Sequence, residues 1–240
     1  MMNSIACAAS FALGLLAAGI GHAQTPSSYP SRPVRIIVPF APGGVTDVMA
    51  RLLSQKLSEN LGKEFVVDNR AGAGGNIGTG VAAAAPADGY TLVLTSSSYV
   101  VNPSIHAKIP YDPEKDLTAV TISAVSPNIL TVNPNLPVKT VAELIDYVRK
   151  SGKASFASAG VATTPHLSGE LFRLSHNLDM VHVPFGGAGP ALQSAVAGHT
   201  PIAFTGFPPA VPQVKAGNLR ALAVTSAKRL AALPDLPTMA

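Results

Sequence analysis

The chain has 240 residues, of which 47% are hydrophobic and 12% charged, so it can bury a sizeable core and is not typical of disorder. Its net charge of +4 comes from 17 basic and 13 acidic residues. The basic residues are spread out and few aromatics lie between them, which argues against a nucleic-acid partner. The absence of Trp argues against a cleft that stacks sugar rings.

A short apolar segment without charged side chains opens the chain at 1–23. It is shorter than a membrane-spanning helix. Gly21 and Ala23 place small residues at the −3 and −1 positions of a signal-peptidase site. We therefore predict a signal peptide at 1–23, cleaved after Ala23, and a periplasmic protein. The single cysteine, Cys7, lies in this segment, so the mature chain has no disulfide or thiol chemistry.

Strands and helices alternate after a Pro- and Ser-rich linker. Thr46 is the expected cap of the first helix and Gly62 its end, while Thr140 and Glu143 form a capping box. Repeated β-α-β units predict parallel sheets covered by helices. The hydrophobic patterns predict strands at 34–40, 64–68, 91–95, 155–159, 180–185, 201–204 and 219–224, extended segments at 117–125 and 128–132, and helices at 45–61, 77–85, 140–150 and from 164 onward.

One device occurs twice in the chain: a strand that ends in Val-Pro-Phe and is followed by a Gly-rich turn and a helix. The copies end at Phe40 and Phe185. We therefore predict an α/β protein with two lobes, each a mostly parallel sheet flanked by helices. Lobe 1 spans 24–127 and lobe 2 spans 128–240, with the Pro-punctuated stretch 128–137 as the crossing between them.

In open α/β sheets, ligands bind at the carboxyl ends of the strands. Five Gly- or Ser-containing turns follow predicted strands, at 41–44, 70–76, 96–98, 158–164 and 186–189. Glycines allow close backbone approach, and helix N-termini leave free N–H groups with a partial positive charge. The turns therefore predict a site for an anion. Further donors or contacts in and beside them are Thr46, Asn76, Ser97, Gly160, Thr163 and Thr164.

Catalytic, metal-binding and cofactor patterns are weak in this sequence. It has no G-x-S-x-G nucleophile elbow and no H-E-x-x-H spacing. A dinucleotide-like pattern at 78–83 has its glycines inside a predicted helix, so we expect no cofactor. Asp47 is expected to cap its helix, and His166, at a helix start, either faces the cleft or holds the turn. The alternative is a secreted α/β hydrolase or transferase that acts through Ser97 or His166.

Several strings resemble, in order, segments of the Bug/TctC family, the solute-binding proteins of tripartite tricarboxylate transporters. They are RIIVPFAPGGVTD at 35–47, VDNRAGAGGN at 67–76, AGVATTPHL at 159–167 and LRALAVTSAKR at 219–229. The resemblance implies a two-lobed periplasmic-binding-protein (Venus-flytrap) fold without catalysis. It also implies a monomer that captures a small carboxylate for membrane permease subunits. That ligand is a di- or tricarboxylate, an acidic amino acid or an aromatic acid.

The resemblance also implies which residues contact the ligand. Family members often have Tyr-Lys-Gly at 185–187 and an acidic residue near Thr205, where this chain differs. They also continue past 240 into a segment that completes lobe 1, so we expect that segment to be missing. A truncated, non-transporting sensor copy is therefore a third interpretation. Carried over by position, the contacts are Phe40, Ala41, Gly43, Gly44 and Asp47 from lobe 1, and Ala159, Thr163, Thr164, Phe185 and Gly187 from lobe 2.

Overall fold

The computed structural model describes residues 29–239, so the predicted signal peptide and its cleavage after Ala23 lie outside the described residues. The chain divides into two compact units, Met1–Ser31 and Arg32–Ala240. The described part of the first unit is 29–31, with a cis peptide bond between Tyr29 and Pro30. None of the helices within 29–239 has the length and hydropathy needed to cross a membrane.

Residues 29–239 form eight strands and seven α-helices. The strands are β1 (Val34–Val38), β2 (Phe65–Asn69), β3 (Thr91–Val93), β4 (Asn128–Val132), β5 (Ala154–Ser158), β6 (Met180–Pro184), β7 (Ile202–Gly206) and β8 (Arg220–Val224). The helices are α1 (Val45–Leu61), α2 (Asn76–Ala83), α3 (Ser98–Ile105), α4 (Val141–Ser151), α5 (Thr164–Ser175), α6 (Ala188–Val196) and α7 (Phe207–Lys215). Most predicted elements are present, with ends shifted by one or two residues.

The strands form two sheets, which confirms the α/β class and supports two lobes. The first sheet has the order β2-β1-β3 and is parallel throughout. The second has the order β6-β5-β7-β4-β8, and β4 runs antiparallel to both of its neighbours. The predicted crossing at 128–137 is therefore wrong, because β4 lies inside the second sheet. The chain passes from the first sheet to the second over the residues between α3 and β4.

The first sheet is held by a small apolar core on the face that α1 covers. Val34, Ile36 and Val38 alternate inward along β1 and pack with Ala50 of α1 and Phe65 of β2. The opposite side of β1 meets α2, whose glycines permit close packing.

Gly78 of α2 is one such close contact. A Cβ there would lie 2.7 Å from the Pro39 Cα. The dinucleotide-like glycines at 78 and 80 thus serve helix packing, as their place within a predicted helix indicated.

The second sheet carries the larger core. Phe156 of β5 and Phe204 of β7 meet edge to face with ring centroids 5.7 Å apart, and both are fully buried. A Cβ at Gly169 of α5 would lie 2.2 Å from the Phe156 ring, so glycine lets α5 sit directly on this ring. This packing fixes α5, and with it the turn that precedes α5.

The helix ends follow the predictions in most respects. Gly62 ends α1 with φ of 66°, and the Thr140 hydroxyl accepts from the Glu143 amide at 3.1 Å at the start of α4. Thr46 is not the cap of α1: the helix begins at Val45 after Gly44, and no side chain caps it. The predicted cap is wrong because the turn ends one residue earlier than its polar residue suggests.

The segment 117–125 is not a strand. Its apolar side chains Val120, Ile122 and Val125 are 85%, 84% and 92% exposed. Within the described residues it pairs with no strand. Its β-branched residues favour an extended chain, but β propensity depends on packing against a neighbour.

The Thr140 cap generates a test of the second lobe. Thr140→Ala leaves the Glu143 amide without its acceptor, so we expect the free energy of unfolding to fall by about 1 kcal/mol. Chemical denaturation measures it. Thr118→Ala, at an exposed position in the irregular segment, is the matched control. An equal free energy of unfolding in the two variants would contradict the capping role of Thr140.

Candidate functional site

The turns that follow β1 and β6 meet face to face. The Ala41 amide donates to the Gly186 carbonyl oxygen at 2.8 Å. A Cβ at Gly187 would lie 2.9 Å from the Ala41 nitrogen, and one at Gly189 would lie 2.4 Å from the Pro42 carbonyl oxygen. Only glycine permits such approaches. The two copies of the Val-Pro-Phe device therefore form one contact between the two lobes.

A second contact joins the turns that follow β2 and β5. A Cβ at Gly74 would lie 2.4 Å from the Val161 carbonyl oxygen, and one at Gly160 would lie 3.7 Å from the Gly74 Cα. Gly74 has φ of 63° and Gly160 has φ of 128°, which other residues rarely adopt. The carboxyl ends of two strands from each lobe are thus brought together, as the sequence predicts.

Four helices begin at these meeting turns. They are α1 at Val45, α2 at Asn76, α5 at Thr164 and α6 at Ala188. The first N–H groups of a helix have no partner within it and carry a partial positive charge. The site can therefore attract an anion from both lobes without a free basic side chain.

Asp47 lies beneath the first turn and is only 3% exposed. Its carboxylate accepts from the Gly43 amide at 3.0 Å, from Asn69 Nδ2 at 2.9 Å and from Arg51 Nε at 3.1 Å. Burial acts to raise the pKa of Asp47, but the hydrogen bonds from Arg51, Gly43 and Asn69 outweigh it and hold the pKa below its usual value. Asp47 thus holds the turn in place.

Phe40 and Gly44 form the wall behind that turn. The Phe40 ring is buried, and its Cζ would lie 3.2 Å from a Cβ at Gly75. Its carbonyl oxygen accepts from Asn69 Nδ2 at 3.0 Å. Gly44 is buried, and a Cβ there would lie 3.5 Å from the Ala188 Cβ of the other lobe.

Asn76 is engaged in a buried network behind the 70–76 turn. Its Oδ1 accepts from Asn102 Nδ2 at 2.7 Å and from the Tyr111 hydroxyl at 3.0 Å. Asn102 Nδ2 also donates to the Gly74 carbonyl oxygen at 3.1 Å. Asn102 thus positions Gly74, and the side-chain oxygen of Asn76 already accepts two hydrogen bonds. Sequence reasoning missed Asn102 and Tyr111, which lie far along the chain.

The serine turn after β3 differs from the expectation. Ser97 is exposed, whereas its neighbour Ser98 is 1% exposed and its Oγ lies 2.9 Å from Ser96 Oγ. A Cβ at Gly75 would lie 3.5 Å from Ser98 Oγ, so Ser98 is the hydroxyl that faces the 70–76 turn. Sequence reasoning selected the neighbouring serine because it did not predict α3, which turns Ser98 inward.

In the second lobe, buried hydroxyls shape the turn after β5. Thr163 Oγ1 donates to the Gly160 carbonyl oxygen at 2.6 Å, and the Gly160 amide donates to Ser158 Oγ at 3.1 Å. Ala159 is half-buried beside them, and Phe185 N–H donates to the Ser158 carbonyl oxygen at 3.0 Å. Ser158 was missed, since strand residues gave no signal of an internal bond.

His166 bonds the same turn, as one of its two predicted roles requires, and its contact with a ligand stays a prediction. Its Nδ1 accepts from the Ala162 amide at 3.3 Å. Burial lowers the pKa of His166, although Glu170 opposes this. The two threonines at helix starts are less engaged: Thr164 is exposed and 3.5 Å from Asn128 Oδ1, and Thr46 is half-buried within α1. Their ligand contacts stay predictions.

Three buried polar atoms near the turns have no hydrogen-bond partner within the described residues. They are Thr95 Oγ1, just before the serine turn, Asn102 Oδ1, and Thr205 Oγ1, at the end of β7. Gly206, next to Thr205, abuts Val45 of α1, where a Cβ would lie 2.2 Å from Val45 Cγ2. A buried hydroxyl without a partner costs about 1–3 kcal/mol, so a bound polar group would stabilise it. Across residues 29–239, no group of three His, Cys, Asp or Glu side chains is placed to hold a metal ion.

Comparison with known proteins identifies the family. Residues 49–240 match the tripartite tricarboxylate transporter family receptor. BugT of Bordetella pertussis is 39% identical over 242 residues, which cover 100% of this chain and 74% of BugT. The chain belongs to this receptor family. The resemblance seen in the sequence is thereby confirmed, and members of this receptor family are periplasmic solute-binding proteins.

Solved structures of similar proteins have the same fold as this chain. An R. palustris protein with adipate is 39% identical with a TM-score of 0.85, over 88% of this chain and 71% of that chain. MatC from Rhodopseudomonas palustris with bound malate is 32% identical with a TM-score of 0.79, over 88% of this chain and 72% of MatC. The two-lobed periplasmic-binding-protein fold predicted from the sequence is confirmed.

The Asp47 cluster generates a test of the first turn. Asp47→Asn weakens charge-assisted bonds to Gly43 and Arg51, so we expect a loss of about 1–3 kcal/mol in the free energy of unfolding at neutral pH. Because the native pKa lies below the usual 3.8, the stabilisation is present above that pH and disappears as the pH falls below it. Denaturation across pH measures both. Asp146→Asn, at an exposed position, is the control. A loss of unfolding free energy in Asp47→Asn that does not change with pH would contradict the role of the Asp47 carboxylate.

Proposed function

We propose that this receptor-family chain captures a small dicarboxylate in the periplasm and delivers it to the permease of a tripartite tricarboxylate transporter. The observation that carries the proposal is the meeting of strand-end turns from both lobes, with two helix N-termini on each side. Each lobe then holds one carboxylate through backbone amides. The ligand bridges the lobes and stabilises their closed arrangement.

The state of the basic side chains beside the turns supports this mode of binding. Arg51 bonds Asp47, and Arg70 bonds Asp68 at 3.0 Å. Both guanidinium groups are therefore paired. Backbone amides and hydroxyls are left to hold the ligand's charge, which suits a carboxylate with accessible oxygens on both ends.

The ligands of two neighbours support the dicarboxylate class. Adipate and malate, named for the two solved structures, both carry two carboxylates at different chain lengths. This chain has the neutral Thr205 where an acidic residue would pair with an ammonium group. We therefore favour a dicarboxylate over an amino acid, whose ammonium group would gain from an acidic partner. We further propose that the chain acts as a monomer, together with membrane permease subunits.

A hydrolase acting through the predicted Ser97 or His166 gains no support from the geometry. Ser97 is exposed and His166 binds the Ala162 amide. Ser158 lies 2.7 Å from His182 Nε2, a distance typical of a nucleophile and its base. Ser158 is however fully buried and holds Gly160.

His166→Ala should therefore alter affinity without removing any turnover.

Ligand-induced stabilisation tests the dicarboxylate class. At 100 times its dissociation constant, adipate or malate should stabilise the chain by about 2.7 kcal/mol and raise Tm by about 5–11 °C. Hexanoate, which has the length of adipate and one carboxylate, is the matched control and should give little shift. If the chain melts cooperatively and no dicarboxylate raises its Tm, the proposal is overturned.

Gly189 tests the need for close approach between the lobes. It is the second residue of α6, where alanine ordinarily favours a helix, but its Cβ would meet the Pro42 carbonyl oxygen. Gly189→Ala should bind the dicarboxylate about 10-fold more weakly, because the lobes cannot close fully. Gly186→Ala, whose Cβ meets only Ala71 at 3.6 Å, is the control. Unchanged affinity in Gly189→Ala, measured by calorimetry, would count against closure at this contact.

A further inference from the structure

Two histidines lie against the 158–163 turn of the second lobe, and we call His166 and His182 the histidine pair. Their ring centroids are 4.2 Å apart. His182 Nε2 lies 2.7 Å from Ser158 Oγ, and His166 Nδ1 accepts from the Ala162 amide at 3.3 Å. The pair thus contacts the turn at both ends. This turn carries Gly160, which approaches Gly74 of the first lobe.

The bond from the Ala162 amide fixes the state of His166. A backbone N–H can only donate, so His166 Nδ1 must be unprotonated to accept it. Protonation would place two N–H groups against each other and break the bond. Charging both rings at this separation would add repulsion between them. The observed turn therefore requires a neutral His166, and the short distance between the rings disfavours a charge on both.

The surroundings of the pair favour the neutral state. Glu170 of α5 is the acidic group that acts on both rings, and it is bonded to Arg173 at 2.8 Å. Phe156 of β5 packs against His182 at 5.0 Å, and β4 contributes the uncharged Asn128 near the start of α5. Burial and the charge of His166 lower the pKa of His182 to about 4, and burial lowers that of His166.

We propose that the histidine pair consists of positioning residues that make ligand capture proton-linked, because the turn keeps its bond to His166, and with it its contact to the first lobe, only while His166 is neutral. This inference rests on the proposed dicarboxylate binding. In the folded, closed state the histidine pair binds protons more weakly than free histidine does. Closure is therefore fully favoured above about pH 6.5, the ordinary pKa of histidine. It is lost as the pH falls from there toward about 4.

The first test compares adipate affinity at about pH 7.5 and about pH 4.5, a range that spans histidine titration. His166→Asn with His182→Gln keeps an acceptor near each bonded nitrogen but cannot titrate. We expect the wild type to lose affinity about 5-fold or more beyond the double variant. His199→Gln, at an exposed histidine, should keep the wild-type loss. Adipate's own ionisation affects all three equally, so equal pH dependence in all three would overturn the inference.

The second test needs no ligand and separates this inference from the proposed function. In the ligand-free wild type, the Ala162 amide resonance should titrate together with the His166 ring resonances. It should not titrate in His166→Asn, while Gly152, at the end of α4, serves as a distant reference amide. An Ala162 amide that does not follow His166 would overturn the inference. If adipate and malate both fail to bind at about pH 7.5, the dicarboxylate proposal fails, and the Ala162 titration still decides the role of the pair.

Discussion

Direct contact between backbones, made possible by glycine, is the constraint on which this molecule depends. Gly74, Gly187 and Gly189 each stand where a Cβ would collide with backbone of the opposite lobe. The side chains around them serve this contact: Asp47 holds one turn and Ser158 another. Helix N-termini can approach one ligand from both sides only because no side chain separates the turns. The proposed recognition through amides depends on how closely the lobes pack.

Each lobe supports its turns from behind with a buried polar network. In the first lobe, Asn102 and Tyr111 converge on Asn76, and in the second, His182 and Thr163 act through Ser158 and Gly160. The networks differ in residue type, but each bonds the backbone of a strand-end turn, at Gly74 in the first lobe and at Gly160 in the second. Preorganised donors of this kind lower the entropy lost when a ligand is bound. The difference is that the second network contains an imidazole, that of His182, whose pKa burial lowers to about 4.

The sequence predicts the parts of this structure that depend on local chemistry. Helix limits such as Gly62 and the Thr140 cap follow from conformational rules, and the paired Val-Pro-Phe turns follow from placing strand ends at one edge. It could not show that β4 is antiparallel and central, because pairing depends on residues far away in the chain. It selected Ser97 instead of Ser98 because it did not predict α3, whose first residue is the buried Ser98. The role of each residue at the ligand itself stays a prediction.

The central position of β4 determines the order in which the second lobe can assemble. Asn128 bonds Thr225 across 97 residues, and Thr131 bonds Ala203 across 72. The first sheet, by contrast, uses strands that follow each other closely from Val34 to Val93. Contacts between residues far apart in sequence form late and slowly, because the entropy cost of closing a long loop comes before the stabilising contacts form. The second sheet therefore stays open during synthesis until β8 has emerged. Until then β4 lacks one of its two neighbouring strands, so the side chains of Ile129, Leu130 and Val132 are accessible to other chains.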